Sequence, residues 1–198
     1  MGNRAASPQL VIIGGSYKSG TSLLCATVEA AGYANPARLT NAKELGHGVA
    51  VDLYPTRECS VARSINRKLI TAARAEEARM ERQIACYLRD MFSCVGVCLV
   101  IKDPYMKLLA PHWIRTANRL GVKSTRLLVT QRDRESIQSS IHNSRFLRHM
   151  QHRKHRIFEH LMAPVDQSRA ARLELLGSRI CVVSYKAIIG SLGPTRFK

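Results

Sequence analysis

The chain has 198 residues, 45% hydrophobic, 23% charged and only 6% aromatic, which is enough apolar content for one core and excludes a disordered chain. Thirty-one Lys and Arg against 14 Asp and Glu leave a net charge of +17. That balance asks for an anionic partner, whether nucleic acid, acidic membrane, polyanionic sugar or phosphorylated small molecule, while the absence of an apolar run near about 18 residues excludes a membrane-spanning helix.

At roughly 150 residues per domain the expectation is a single domain, 1–198, with a flexible polar N-terminus over 1–8. That start lacks the apolar stretch of a secretory signal, and Ala6 stands where a myristoylation motif needs Ser or Thr. The run Leu10 to Ile13, closed by Gly14 and Gly15, predicts a buried strand. A helix follows from about Gly20 until Ala31 and Gly32. Gly, Asn and Pro punctuate 34–59, which predicts a loop. From Ser60 to about Phe92 an Ala- and Arg-rich helical period predicts one or two helices. Gly96 to Ile101 is a second strand that delivers Lys102, Asp103 and Pro104, and a helix spans Met106 to Leu120. A third strand, Thr125 to Thr130, leads to Gln131, Arg132 and Asp133, then to a helix from Arg134 to about Met150 and another between about Ile157 and Leu176. A fourth strand covers Arg179 to Ser184. Strands alternating with helices predict an α/β protein of three layers, a mostly parallel sheet with helices on both faces. The six cysteines contain no C-x-x-C pair and read as small buried hydrophobes in a reducing cytoplasm.

The junction Gly14-Gly15-Ser16-Tyr17-Lys18-Ser19-Gly20-Thr21-Ser22 has the chemistry of an anion site. Glycines admit backbone N–H groups close to an oxyanion, the following helix aims its free N–H groups and positive dipole end there, and Lys18 adds a full charge. A purely structural turn has no use for Lys, two Ser and Thr around one Gly. A nucleoside-triphosphate loop reads G-x-x-x-x-G-K-[ST]. Gly15 and Gly20 keep that spacing, but Thr21 stands in place of the lysine, so the groups that grip the β/γ-phosphates and magnesium are displaced. This disfavours a nucleotide kinase.

Lys18-Ser19-Gly20-Thr21-Ser22, between an apolar strand and Leu23-Leu24, resembles the [RK]-S-G-T-[TS] loop of sulfotransferases that use 3′-phosphoadenosine 5′-phosphosulfate (PAPS). Arg132 at a strand end, with Ser140 two turns into the next helix, is similar to that family's 3′-phosphate site. Lys102-Asp103-Pro104, with Leu108, Leu109, Pro111 and Trp113 behind it, resembles the K-D-P element of bacterial members, and Val182-Val183-Ser184-Tyr185 resembles a later strand. The resemblance implies a P-loop nucleotide-binding fold and in-line transfer of a sulfuryl group from PAPS to an acceptor hydroxyl or amine. Adenosine 3′,5′-bisphosphate leaves, and lysines do the neutralising that a metal does in kinases. By the same resemblance Lys18 acts on the sulfuryl, Ser19, Gly20, Thr21 and Ser22 hold the 5′-phosphate, Arg132 and Ser140 hold the 3′-phosphate, and Lys102 is a second positive group. The general base stays open. Family members commonly carry a His just after the lysine, where this chain has Asp103, which reads either as a base or as a capping carboxylate; Glu44 and His47 are the other candidates.

Two regions are expected to serve the acceptor: the loop 34–59 and the basic segment 145–156. The latter reads as a solvated surface or as a patch for an anionic glycan or lipid; its His149, His152 and His155 lack an acidic or Cys partner for a metal. The rivals are a basic nucleic-acid-binding protein, disfavoured by dispersed charge and few aromatics, and an inactive sulfotransferase-like chain. The latter is considered because no C-terminal basic-Gly element follows the fourth strand.

Overall fold

The structure, a computed structural model, describes residues 7–37, 58–71, 73–143, 159–161, 163, 174 and 177–191. In chain order it comprises β1 (Gln9–Gly15), α1 (Thr21–Ala30), α2 (Ser60–Leu69), α3 (Arg74–Val95), β2 (Cys98–Lys102), α4 (Met106–Arg119), β3 (Ser124–Gln131), α5 (Arg134–His142), β4 (Arg179–Ser184) and α6 (Tyr185–Ser191). The helical stretch after Ser60 is two helices. No helix among the described residues is long and apolar enough to cross a membrane.

The four strands form one sheet in the order β2-β1-β3-β4, every pair parallel. Parallel strands need crossover connections, which here carry the helices. β1 lies inside the sheet and is buried from Leu10 onward, which is why its sequence is a continuous apolar run rather than an alternating one. Its side chains alternate between two clusters. Leu10 and Ile12 join Leu99, Ile101 and Leu127 against Ile65 of α2, Ile84 and Leu88 of α3, and Trp113 and Ile114 of α4. Val11 and Ile13 join Val100 against Leu24 and Cys25 of α1 and Ile188 of α6. Each fully buried Leu or Ile contributes about 1.5–3 kcal/mol. Trp113 is fully buried, packs edge-on against Tyr87 at 5.9 Å, and donates its indole N–H to Asn66 Oδ1 at 2.8 Å, so the largest side chain of the core is also hydrogen-bonded.

Gly14 is where α4 meets the sheet. A Cβ there would overlap the backbone nitrogen of Lys107, so only glycine lets the first turn of α4 lie against β1. Lys107 itself is buried; its ammonium donates to the carbonyls of Leu161 (2.7 Å) and Ala163, tying that segment to α4.

β4 is an edge strand whose Arg179, Cys181, Val182 and Ser184 are exposed. Two expectations change. The helix from Arg134 ends at His142 rather than near Met150, with Asn143 as its C-cap donating to the Ser139 carbonyl. The cysteines divide. Cys25 and Cys59 are buried, but Cys86 and Cys94 face solvent on α3 and Cys181 lies on the exposed edge strand; all six are free thiols.

Candidate functional site

Because all four strands run parallel, their carboxyl ends share one edge of the sheet. The chain leaves β1 for β2 on one side and then crosses to β3 on the other. Such a reversal next to a strand opens a crevice beyond its carboxyl end. The loop Ser16–Gly20 follows β1, Lys102 ends β2, Arg132 follows β3 and Tyr185 follows β4, so the expected donor residues converge on this edge.

The loop is held from beneath. The Ser19 hydroxyl donates to the Ser16 carbonyl at 2.6 Å and lies 2.6 Å from Thr130 Oγ1 of β3, with Ser19 fully buried. Its side chain therefore anchors the loop, and its backbone N–H also donates to the Ser16 carbonyl at 3.3 Å. Lys18 stands exposed at the crest with φ 62°, a left-handed backbone unusual outside glycine. Gly20 follows at φ 94° as the N-cap of α1, with no side-chain cap and no acidic residue in the first turn. The first N–H groups of a helix have no intrahelical partners. A left-handed turn into an uncapped helix, beside an exposed lysine, is geometry suited to an anion. Thr21 is buried and Ser22 half-buried at its mouth.

Arg132 reaches across from β3. Its guanidinium donates to the Lys18 carbonyl at 3.2 Å and to Ser140 Oγ at 3.5 Å, while Ser140 donates to the Ser136 carbonyl at 2.9 Å. Asp133 caps α5 by accepting from the Ser136 N–H at 2.7 Å, which positions Ser140 one turn further along. Arg132 also lies over the Tyr185 ring, 4.5 Å from its centroid, and Tyr185 packs so closely on Gly20 that a Cβ there would come within 2.6 Å of the ring. Tyr185 thus clamps both the arginine and the start of α1.

Lys102 is less open than its sequence position implies. It is 3% exposed and its ammonium donates to Glu58 at 2.7 Å, with Arg63 3.1 Å from the other carboxylate oxygen. Asp103 is 1% exposed; Oδ1 accepts from the Tyr105 N–H at 2.7 Å, in a turn just ahead of α4, whose N-cap is Tyr105 without a side-chain cap, whereas Oδ2 has no hydrogen-bond partner among the described residues. Burial, and secondly the nearby Glu58 charge, push the Asp103 carboxyl up to about 7. Tyr17 shares this corner. Burial and then its hydrogen bond with Tyr105 drive its hydroxyl well above the usual tyrosine range.

Glu44, His47, the greater part of the loop 34–59 (38–57) and the basic segment 145–156 lie outside the described residues. Among the described residues no group of three His, Cys, Asp or Glu side chains gathers as a metal site. Sequence reasoning gave no role to Thr130, Glu58, Tyr17, Tyr105 or Tyr185. Tyr185 had a signal, since it begins the turn after a strand like the other site residues. Glu58 had none, because a loop carboxylate shows its partner only in three dimensions. No protein-family model and no curated protein matches the chain.

Proposed function

We propose that the chain is a PAPS-dependent sulfotransferase, a three-layer α/β protein of the P-loop nucleotide-binding type. The observation that carries this reading is the meeting of two phosphate grips: the Lys18–Gly20 turn at the start of α1, and the Arg132–Ser140 pair bonded to the Lys18 carbonyl. One anion cradle alone fits many ligands. Two joined by an arginine fit a ligand with two separate phosphates, such as adenosine 3′,5′-bisphosphate and its sulfated form. The donor supplies an activated sulfuryl group. Lys18 provides positive charge for the oxyanions at the turn, the backbone of Ser19 to Ser22 takes the 5′-phosphate, and Arg132 with Ser140 takes the 3′-phosphate. Asp103 Oδ2 is the described carboxylate oxygen nearest in chain to Lys102 that is free to accept a proton. The acceptor is a hydroxyl or amine compound, with an anionic glycan or lipid the class that the net charge favours.

A second reading, a chain that binds the donor without transferring from it, draws on the Lys102–Glu58 pair, which neutralises the second lysine. Thermal shift separates the readings. Adenosine 3′,5′-bisphosphate without magnesium is expected to raise the melting temperature, and Arg132→Ala to abolish that rise. Stabilisation only by ATP–magnesium or only by duplex DNA would overturn both readings, and donor binding without turnover on any acceptor favours the second.

A further inference from the structure

Away from the strand edge, α2 and α3 border a groove of about 560 Å³, within the size range of small-molecule sites. The short connection between Leu69 and Arg74 folds the helices into an antiparallel pair, and the Tyr87 hydroxyl, donating to the Cys59 thiol at 3.1 Å, sets their alignment. The floor is apolar: Ile65 and Tyr87 are buried, and Val61 and Met91 pack partly buried on the same core.

The two ends differ in charge. In an antiparallel pair the last turn of α2 lies beside the first turns of α3, which brings Lys68, Arg79 and Arg82 to one end of the groove. All three are exposed, and none forms an ion pair among the described residues. Asp90 lies at the other end, ~16 Å along the axis from Arg79 at a rise of about 1.5 Å per residue. Three unpaired cations at one end of an apolar trough, with a carboxylate at the far end, select for charge at one end of a ligand only.

We infer that the groove binds a free single-chain amphiphilic anion, its carboxylate or sulfate head held by Lys68, Arg79 and Arg82 and its apolar chain lying over Ile65 and Tyr87. This rests on neither the loop at the strand edge nor the sulfotransferase reading. The protein carries its own reporter, because its one tryptophan, Trp113, packs edge-on against Tyr87 of the groove floor.

Decanoate below its critical micelle concentration is titrated against the full chain, with decan-1-ol and acetate alongside, and Trp113 emission is followed. A saturable change is expected with decanoate, one weaker by about tenfold or more with decanol, and none with acetate. The double variant Arg79→Glu/Arg82→Glu should weaken decanoate by about tenfold or more while leaving the decanol response and far-UV circular dichroism unchanged. Lys68→Gln gives the same test if the double reversal impairs folding. No saturable decanoate response, decanol binding as tightly as decanoate, or undiminished decanoate binding in a folded variant would each overturn the inference.

Discussion

Lys18 holds a left-handed backbone at φ 62°, which costs a side chain with a Cβ roughly 1–2 kcal/mol. Its side chain is exposed, so the position is best understood through charge rather than stability. Lys18→Gly is therefore expected to melt at the same temperature or slightly higher while losing sulfuryl transfer, whereas Lys18→Ala loses transfer with the strain retained. Thermal unfolding beside a donor-turnover assay decides it; a large fall in melting temperature for Lys18→Gly would mean the lysine is structural. Asp103 presents the opposite case, a carboxyl whose burial works against its charge. Its pKa lies near 7 in the folded chain, against about 3.9 when unfolded. An acid with a raised folded pKa binds its proton more tightly when folded. Its stabilising contribution is thus complete below about pH 4 and lost as pH rises to 7, up to about 4 kcal/mol in all. Asp103→Asn keeps an oxygen for the Tyr105 N–H and removes the titration. The variant should be more stable than the parent at pH 8 and show a flatter melting profile between pH 4 and 7. A profile unchanged by the substitution would show that the carboxyl stays ionised throughout.

At the scale of elements, the site depends on α6 packing against the first turn of α1. Tyr185 contacts Gly20 on one side and Arg132 on the other, so one aromatic ring couples the start of α1 to the end of β3. Gly20→Ala introduces a Cβ at φ 94° and against that ring, with an expected loss of about 2 kcal/mol or more. Tyr185→Ala removes the collision and leaves the backbone strain, so the double variant should recover part of the loss. A double-mutant cycle with coupling below ~0.5 kcal/mol would show that the ring yields freely. How much of this was readable from sequence differs by element. β1 and β2 were legible as unbroken apolar runs, β1 inside the sheet and β2 at an edge that α1 and α3 cover, β3 was legible from Leu127, Leu128 and Val129, and the starts of α1 and α4 because Gly20 and Pro104 punctuate them. The exposure of β4 was not, since Arg179 to Ser184 has much the same apolar composition as β2, the other edge strand, which is buried. In the site, that Arg132 comes to lie beside Ser140 and the Lys18 carbonyl was anticipated through the family resemblance and the strand-end position of Arg132. The withdrawal of Lys102 onto Glu58 was not, because those residues lie 44 apart in the chain.

For the whole molecule the dominant quantity is the charge of +17. Few described cations are neutralised in clusters; the main example is Glu81, which bonds Arg115 at 3.0 Å and also Arg119. Many remaining positive side chains lie on the surface within a Debye length of one another, so their mutual repulsion opposes the compact state and salt should relieve it. Raising sodium chloride from about 50 to 500 mM shortens that length from roughly 14 to 4 Å and is expected to raise the melting temperature by several degrees. The same salt series separates a diffuse polyanion surface from a built site. Binding that rests on many dispersed phosphate contacts falls steeply with salt, by orders of magnitude for about 6–10 contacts. A bisphosphate gripped by Lys18, Arg132, Ser140 and the backbone N–H groups of α1 makes few ionic contacts and gains part of its affinity from hydrogen bonds that salt screens weakly. Adenosine 3′,5′-bisphosphate should therefore still stabilise the protein at 500 mM, while any stabilisation by duplex DNA disappears. If the two ligands lose their effect in parallel, the excess charge, rather than the strand-edge cradle, is what binds the nucleotide.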